Sequence, residues 1–207
     1  MDLLTAIADE RRTIADMLET LTDEQWSTPS LAEGWTVRNV TAHLVMPFRY
    51  SLPKVMWEVA KARGNFNKVA DNIAKRDASL PTAELIDTLR RNADHKFKPP
   101  GQGFEAPLTD AVVHGLDIRL PLGIDRTVPA DRWRTILDYV IQPKVQKFFK
   151  TDLSGVTLSA TDLGWSSGSG PTVSGSADDI GLVMTGRRSA LDRLSGDGVA
   201  LLSSRKR

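Results

Sequence analysis

Hydrophobic residues in the first two thirds of the chain recur three or four positions apart, with polar residues between them. This spacing is typical of amphipathic helices. Near the N-terminus, Leu4, Ile14 and Leu18 fall on one helical face, so we expect a first helix over roughly residues 2–21. The same spacing predicts further helices around residues 37–48, 55–59, 66–73, 85–89 and 133–140. The pattern therefore predicts an α-helical bundle over residues 1–150.

The pattern changes after Thr151, where short apolar runs alternate with turn residues. In order, these runs predict a strand at residues 156–160, a hairpin within 165–173, a helix at 177–185 and a last strand at 199–202. We therefore predict a second, small α+β domain over residues 151–207.

Local signals indicate where helices start and where loops lie. Thr36 and Thr22 are candidate N-caps, because a threonine hydroxyl can accept a free amide of the first helical turn. Pro47 is expected to kink or interrupt the helix that contains it, since proline removes a backbone donor. Residues 97–107 contain three prolines and two glycines, which predicts a loop and a candidate lid.

Charge and composition exclude several classes of protein. The chain has 27 basic and 26 acidic residues, a net charge of +1 and no cysteine. Such a balance gives no global field that favours nucleic acid. We find no apolar run long enough to span a membrane and no basic leader, which favours the cytoplasm. Without cysteine, any thiol chemistry requires a thiol from a small molecule.

Three side chains are candidate metal ligands. His43 lies at the edge of an apolar helical stripe, and Asp110 precedes His114 by four residues. Two residues at that spacing on a helix share one face. Three protein ligands with one open position form the arrangement of a catalytic zinc site.

Other readings of these residues stay open. A histidine beside an apolar face is more often packed and hydrogen-bonded than a ligand, and Asp-x-x-x-His also occurs by chance. Asp117 is either a second-shell acceptor for His114 or a helix-terminal charge paired with Arg119. His95 matches no motif and is interpreted as a solvated helix end.

Two arginines are candidate substrate-binding residues. Arg38, close to His43 in sequence, could bind an anionic group, although such an arginine is more often part of a surface ion pair. Arg187 follows Gly186 at a predicted helix end, where a cation also complements the helix dipole without any further role.

Several segments resemble one known family. Gly-Trp-Thr-Val-Arg-Asn-Val-Thr-Ala-His-Leu at residues 34–44 resembles the second-helix signature of the DinB-like superfamily, in the branch of mycothiol-dependent maleylpyruvate isomerase. His-Gly-Leu-Asp-Ile-Arg at 114–119 resembles the second histidine helix of that branch. Ala-Thr-Asp-Leu-Gly-Trp at 160–165 and Thr-Gly-Arg at 185–187 resemble its small appended domain.

The resemblance implies a DinB-like up-and-down four-helix bundle with a small C-terminal α+β domain. It also implies that His43, Asp110 and His114 hold a divalent metal, although the family has glutamate where this chain has Asp110. Zinc suits two imidazoles and a carboxylate, while nickel, iron and manganese also occupy such sites. Mycothiol is the implied cosubstrate, and the resemblance keeps Arg187 among the candidates for substrate binding.

Two main functional hypotheses follow. The first is a metal-dependent, mycothiol-using enzyme, either a thiol transferase or an isomerase, that acts on a small electrophilic substrate. The second is a non-enzymatic small-molecule-binding module with a weak or vestigial metal site. A nucleic-acid role ranks last, because the chain has no basic stripe.

Overall fold

The computed structural model describes residues 1–205 and divides the chain into two compact units, with the division between Asp125 and Arg126. The first unit contains seven helices: α1 (Leu3–Glu19), α2 (Asp23–Ser27), α3 (Val37–Arg49), α4 (Leu52–Lys61), α5 (Phe66–Asp77), α6 (Thr82–Arg91) and α7 (Glu105–Arg119). The predicted helices of the N-terminal part are confirmed, with ends shifted by a few residues.

Helices α1, α3, α6 and α7 form a four-helix bundle, in which α1 and α3 each pack against both α6 and α7. Their apolar faces meet in one core. Its buried members include Ile14, Leu18, Val40, Leu44, Leu85, Leu89, Ala111 and Ile118. Helix α5 packs along α3, and α4 packs against α5.

The start of α3 is fixed by its own sequence. The Thr36 hydroxyl accepts the amide of Asn39, and the Asn39 side chain accepts the amide of Thr36, which forms a capping box. The predicted cap is confirmed, as is the capping box at Thr22. The expected interruption at Pro47 is not observed, because α3 continues through it to Arg49.

Helix α7 begins within the segment that the sequence predicts as a loop. Its first residue is Glu105, so the end of the expected 97–107 loop is helical. Pro107 is tolerated there because an amide in the first turn has no partner within the helix. From Pro107 to Arg119, Asp110 is the only residue that is not buried.

The second unit contains helices and a small sheet. Its elements are α8 (Ala130–Val140), α9 (Pro143–Phe149), β1 (Thr157–Ala160), β2 (Trp165–Gly168), β3 (Thr172–Gly175), α10 (Ala177–Met184), a 3-10 helix (Arg188–Arg193) and α11 (Gly198–Ser204). The strand order is β2-β1-β3. Strand β1 pairs antiparallel to β2, with Ala160 opposite Trp165, and parallel to β3, with Leu158 opposite Val173.

Two predictions for this unit are wrong. Strands β1 and β2 form the hairpin, and β2 does not pair with β3. The turn residues between β2 and β3 instead lead the chain to the other edge of β1. The last strand, expected at 199–202, is helix α11. A short apolar run has no periodicity that separates a strand from a helix. Leu202 is buried while Leu201 is 39% exposed, which gives this short helix one buried side.

The predicted domain boundary after residue 150 stays a prediction, although contacts within the described residues group α8 and α9 with the sheet. The last two residues of the sequence, Lys206 and Arg207, lie outside the described residues. Over residues 1–205, the helices are too short or too polar to serve as a membrane span.

Candidate metal centre

The structure brings the three candidate ligands together. Helix α3 supplies His43, and α7 supplies Asp110 and His114. The Oδ1 atom of Asp110 lies 3.4 Å from Nε2 of His43 and 3.5 Å from Nε2 of His114. One ligand atom from each residue lies within 4.8 Å of the other two. The three side chains that the sequence singles out as candidate ligands thus lie together, while metal binding by them stays a proposal.

A buried carboxylate orients His114. Nδ1 of this histidine lies 2.8 Å from Oδ2 of Asp117, whose side chain has no exposed surface. Because the carboxylate accepts, Nδ1 is the donor, and Nε2 is the ring nitrogen that faces Asp110. Ligating histidines usually have such a partner on the other ring nitrogen. This contact with His114 is the one that the first of the two sequence readings requires of Asp117, while its role beside a metal ligand stays a prediction.

The two ring nitrogens of His43 have different surroundings. Its Nδ1 atom is buried and has no hydrogen-bond partner among the described residues, while its Nε2 atom faces Asp110. An unpaired buried ring nitrogen costs free energy. Without an ion, the hydrogen bond to the Asp110 carboxylate requires the proton of His43 to be on Nε2. A metal ion at the cluster would require the other tautomer, in which Nε2 offers its lone pair. The donor set, two imidazole nitrogens and one carboxylate oxygen, fits a divalent ion such as zinc.

Asp110 is held in its charged form. Burial by surrounding atoms opposes ionisation, but the hydrogen bond with His43 and the charges of His114, His43 and Arg11 outweigh it and lower the pKa of this carboxyl to about 2. Its side chain nevertheless keeps 44% of its surface exposed, against 12% for His43 and 11% for His114. The cluster therefore opens to solvent on the side of Asp110.

Trp35 forms a wall of the cluster and is not among the site residues predicted from the sequence. Its ring centroid lies 5.1 Å from that of His43 and 6.1 Å from that of His114. Its indole nitrogen donates to Oδ1 of Asp71 on α5 at 2.8 Å. Burial raises the pKa of Asp71, but the hydrogen bonds from Trp35 and Lys75 outweigh burial, so the pKa lies below its usual value. The available signal was the position of Trp35 directly before the cap of the His43 helix.

The two predicted substrate-binding arginines make other contacts. Arg38 donates to the backbone carbonyls of Ala78, at 3.1 Å, and Leu80, at 2.8 Å, which favours a role in holding the chain after α5. Arg187 lies in the second unit and donates to the carbonyl of Thr185 at 2.8 Å. Substrate binding by either arginine stays a prediction.

Comparisons with known proteins find a similar family and a similar fold. A family model described as the mycothiol maleylpyruvate isomerase N-terminal domain matches residues 7–96. The resemblance stated from the sequence is therefore confirmed. The matched segment includes His43 and Trp35 and ends before α7.

Solved structures of this family share the fold. One is a mycothiol-dependent maleylpyruvate isomerase, with a TM-score of 0.65 and 16% identity over 95% of this chain and 92% of the other. Another is a histidine-to-alanine mutant of the isomerase, with a TM-score of 0.60, 16% identity and the same coverage. The predicted fold class, a mainly α DinB-like bundle with a small α+β part, is confirmed. A search of curated proteins gives no significant match.

Proposed function

We propose that this chain is a metal-dependent enzyme that uses mycothiol to transform a small electrophilic substrate, as an isomerase or a thiol transferase. The observation that carries the proposal is the convergence of His43, Asp110 and His114 in a fold whose solved relatives are named mycothiol-dependent isomerases. The chain has no cysteine, so a thiol nucleophile must come from a cosubstrate. Maleylpyruvate is the first substrate to test.

The residues of the cluster have separate roles in this proposal. His43, Asp110 and His114 would hold a divalent ion, with zinc favoured by the donor set. When bound, such an ion favours the thiolate form of a coordinated thiol at neutral pH. Asp117 fixes the tautomer of His114 through Nδ1. Trp35 packs against both imidazoles and restricts their rotation.

Ionisation of Asp110 also supports the proposal. A carboxyl with a pKa of about 2 is a negative oxygen donor at any pH where the protein is expected to work. It partly neutralises the charge of a divalent ion, and its exposed side leaves room for a cosubstrate beside it. In this arrangement Asp110, the solvent-exposed residue of α7, is itself a ligand.

One observation favours the alternative of a binding module with a weak metal site. Asp110 lies within hydrogen-bonding distance of His43 and close to His114, so the cluster is partly satisfied without an ion. Aspartate is also shorter than the glutamate that the resemblance implies. A measurement of bound metal distinguishes the two functions, because only the enzyme requires a bound metal ion.

The deciding experiment measures metal and turnover in the same protein. Untagged chain is analysed for bound metal, and mycothiol-dependent conversion of maleylpyruvate is followed for the wild type, His114→Ala and the control His95→Ala. We expect about one ion per chain, with both metal and activity lost in His114→Ala and kept in His95→Ala. Wild-type protein that binds no divalent ion on titration would refute the enzyme proposal.

A further inference from the structure

A cavity of about 270 Å³ lies between α4 and α5 in the first unit. Aliphatic side chains contribute its apolar walls: Val55 and Ala62 from the α4 side, and Val69 and Ile73 from α5. None of the residues that line it belongs to the His43–Asp110–His114 cluster.

The lining of the cavity has an excess of positive charge. Lys54, Lys61, Lys68 and Arg76 face one carboxylate, Glu58. Two of these cations have acidic partners: Lys61 lies 3.7 Å from Glu58, and Arg76 donates to Asp77 at 3.0 Å.

Three polar side chains at the cavity remain available to a ligand. Within the described residues, Lys54, Lys68 and Asn72 make no side-chain hydrogen bond or ion pair. The Lys54 ammonium lies 4.9 Å from the centroid of the Tyr50 ring, a contact that a cation can keep while it also binds an anion. Two ammonium groups and an amide thus stand beside an apolar wall without an acidic partner.

Tyr50 gives the cavity a fixed aromatic side. Its hydroxyl donates to Oδ2 of buried Asp77 at 2.8 Å and accepts from Arg76 at 2.7 Å. Arg76 also lies over the Tyr50 ring at 5.1 Å. The aromatic wall is therefore positioned by contacts that a ligand need not disturb.

We propose that this cavity binds a small amphipathic carboxylate, with its aliphatic body against Val55, Val69 and Ile73 and its carboxylate near Lys54 and Lys68. A purely apolar ligand would leave the ammonium groups unused, and a small inorganic anion would leave the apolar walls in contact with water. A ligand with both parts fits both observations. The proposal does not depend on metal at the histidine cluster.

The test titrates octanoate, with 1-octanol as its neutral counterpart, into full-length protein by calorimetry and by amide chemical shifts in NMR spectra. We expect saturable octanoate binding that shifts amides of α4 and α5, and octanol binding that is weaker by about tenfold. Lys68→Gln should weaken octanoate binding by a similar factor and leave octanol binding unchanged. The control Lys96→Gln, an exposed lysine outside the cavity, should change neither.

A second variant tests the location. Ala62→Phe adds a ring at a half-buried lining position and should abolish binding of both ligands, with its helical circular dichroism checked against the wild type. Equal binding of octanoate and octanol, equal affinity in Lys68→Gln, or amide shifts confined to exposed Met56 and Trp57 would each overturn the proposal.

Discussion

Nδ1 of His114 and Oδ2 of Asp117 form a hydrogen bond of 2.8 Å, three residues apart on α7, with the carboxylate completely buried. The pair fixes the ring so that its other nitrogen faces Asp110. The orientation of one candidate ligand is therefore set by a residue that does not itself reach the cluster.

Asp117→Asn tests this pair. The amide can still occupy the site, but it loses the negative charge that supports a ligating imidazole and can present a donor to Nδ1. We expect affinity for a divalent ion to fall by roughly 10–100-fold, as measured by competition with a chelating dye. The control Asp87→Asn, which removes an exposed ion pair with Arg91, should leave the affinity unchanged.

Replacements of Asp110 test the third ligand. Asp110→Ala leaves two imidazoles and should lose most of the affinity for metal, while a purely structural residue would cost about 0.5–1.5 kcal/mol of stability with metal binding intact. Asp110→Glu changes the reach of the carboxylate by one methylene and should alter affinity in either direction. Three identical isotherms for metal-free wild type and both variants would show that Asp110 is not a ligand.

The charge of Asp110 predicts a specific pH dependence of stability. Its pKa is lowered from 3.8 to about 2 in the folded chain, so the ionised carboxylate stabilises the metal-free protein above pH 3.8. That contribution is lost as the pH falls through about 2. As the pH falls from 3.8 to about 2, the free energy of unfolding should decrease more steeply in the wild type than in Asp110→Asn, as measured by urea denaturation. Parallel curves would contradict the assigned charge state.

Trp35 provides a spectroscopic test of metal binding. Its ring lies against both histidines, and a paramagnetic ion such as Co²⁺ held by them should quench its fluorescence. We expect Trp35→Phe to lose most of the quenching that the wild type shows on Co²⁺ addition. The control Trp57→Phe changes an exposed residue and should keep it. Equal quenching in both variants would place the ion elsewhere.

Alanine substitution at two helical glycines should have different effects on stability. A Cβ added to Gly181 on α10 would lie 2.3 Å from the ring of Trp133, whereas one added to Gly115 on α7 meets atoms at 3.6 Å, an ordinary contact distance. Gly181→Ala should therefore destabilise the protein by about 1–3 kcal/mol. Gly115→Ala should be neutral or stabilising by up to about 1 kcal/mol. Thermal unfolding of the two variants measures the difference.

The sequence predicts much of the bundle because helical periodicity and caps are local signals. The Thr36 cap and the Asp110-x-x-x-His114 spacing depend on neighbours in the chain, and the structure retains both. The pairing of β1 with β3 and the packing of Trp35 depend on residues far apart in sequence. Sequence spacing does not determine such contacts, which is why the predicted strand pairing is wrong and why Trp35 is absent from the predicted site.

The burial of α7 has a practical consequence for chemical labelling. Between Pro107 and Arg119 only Asp110 is open to solvent, and the chain has no cysteine of its own. A thiol introduced by Asp110→Cys would be the single thiol in the molecule. A maleimide probe would then report from the centre of the cluster without competing labelling anywhere else.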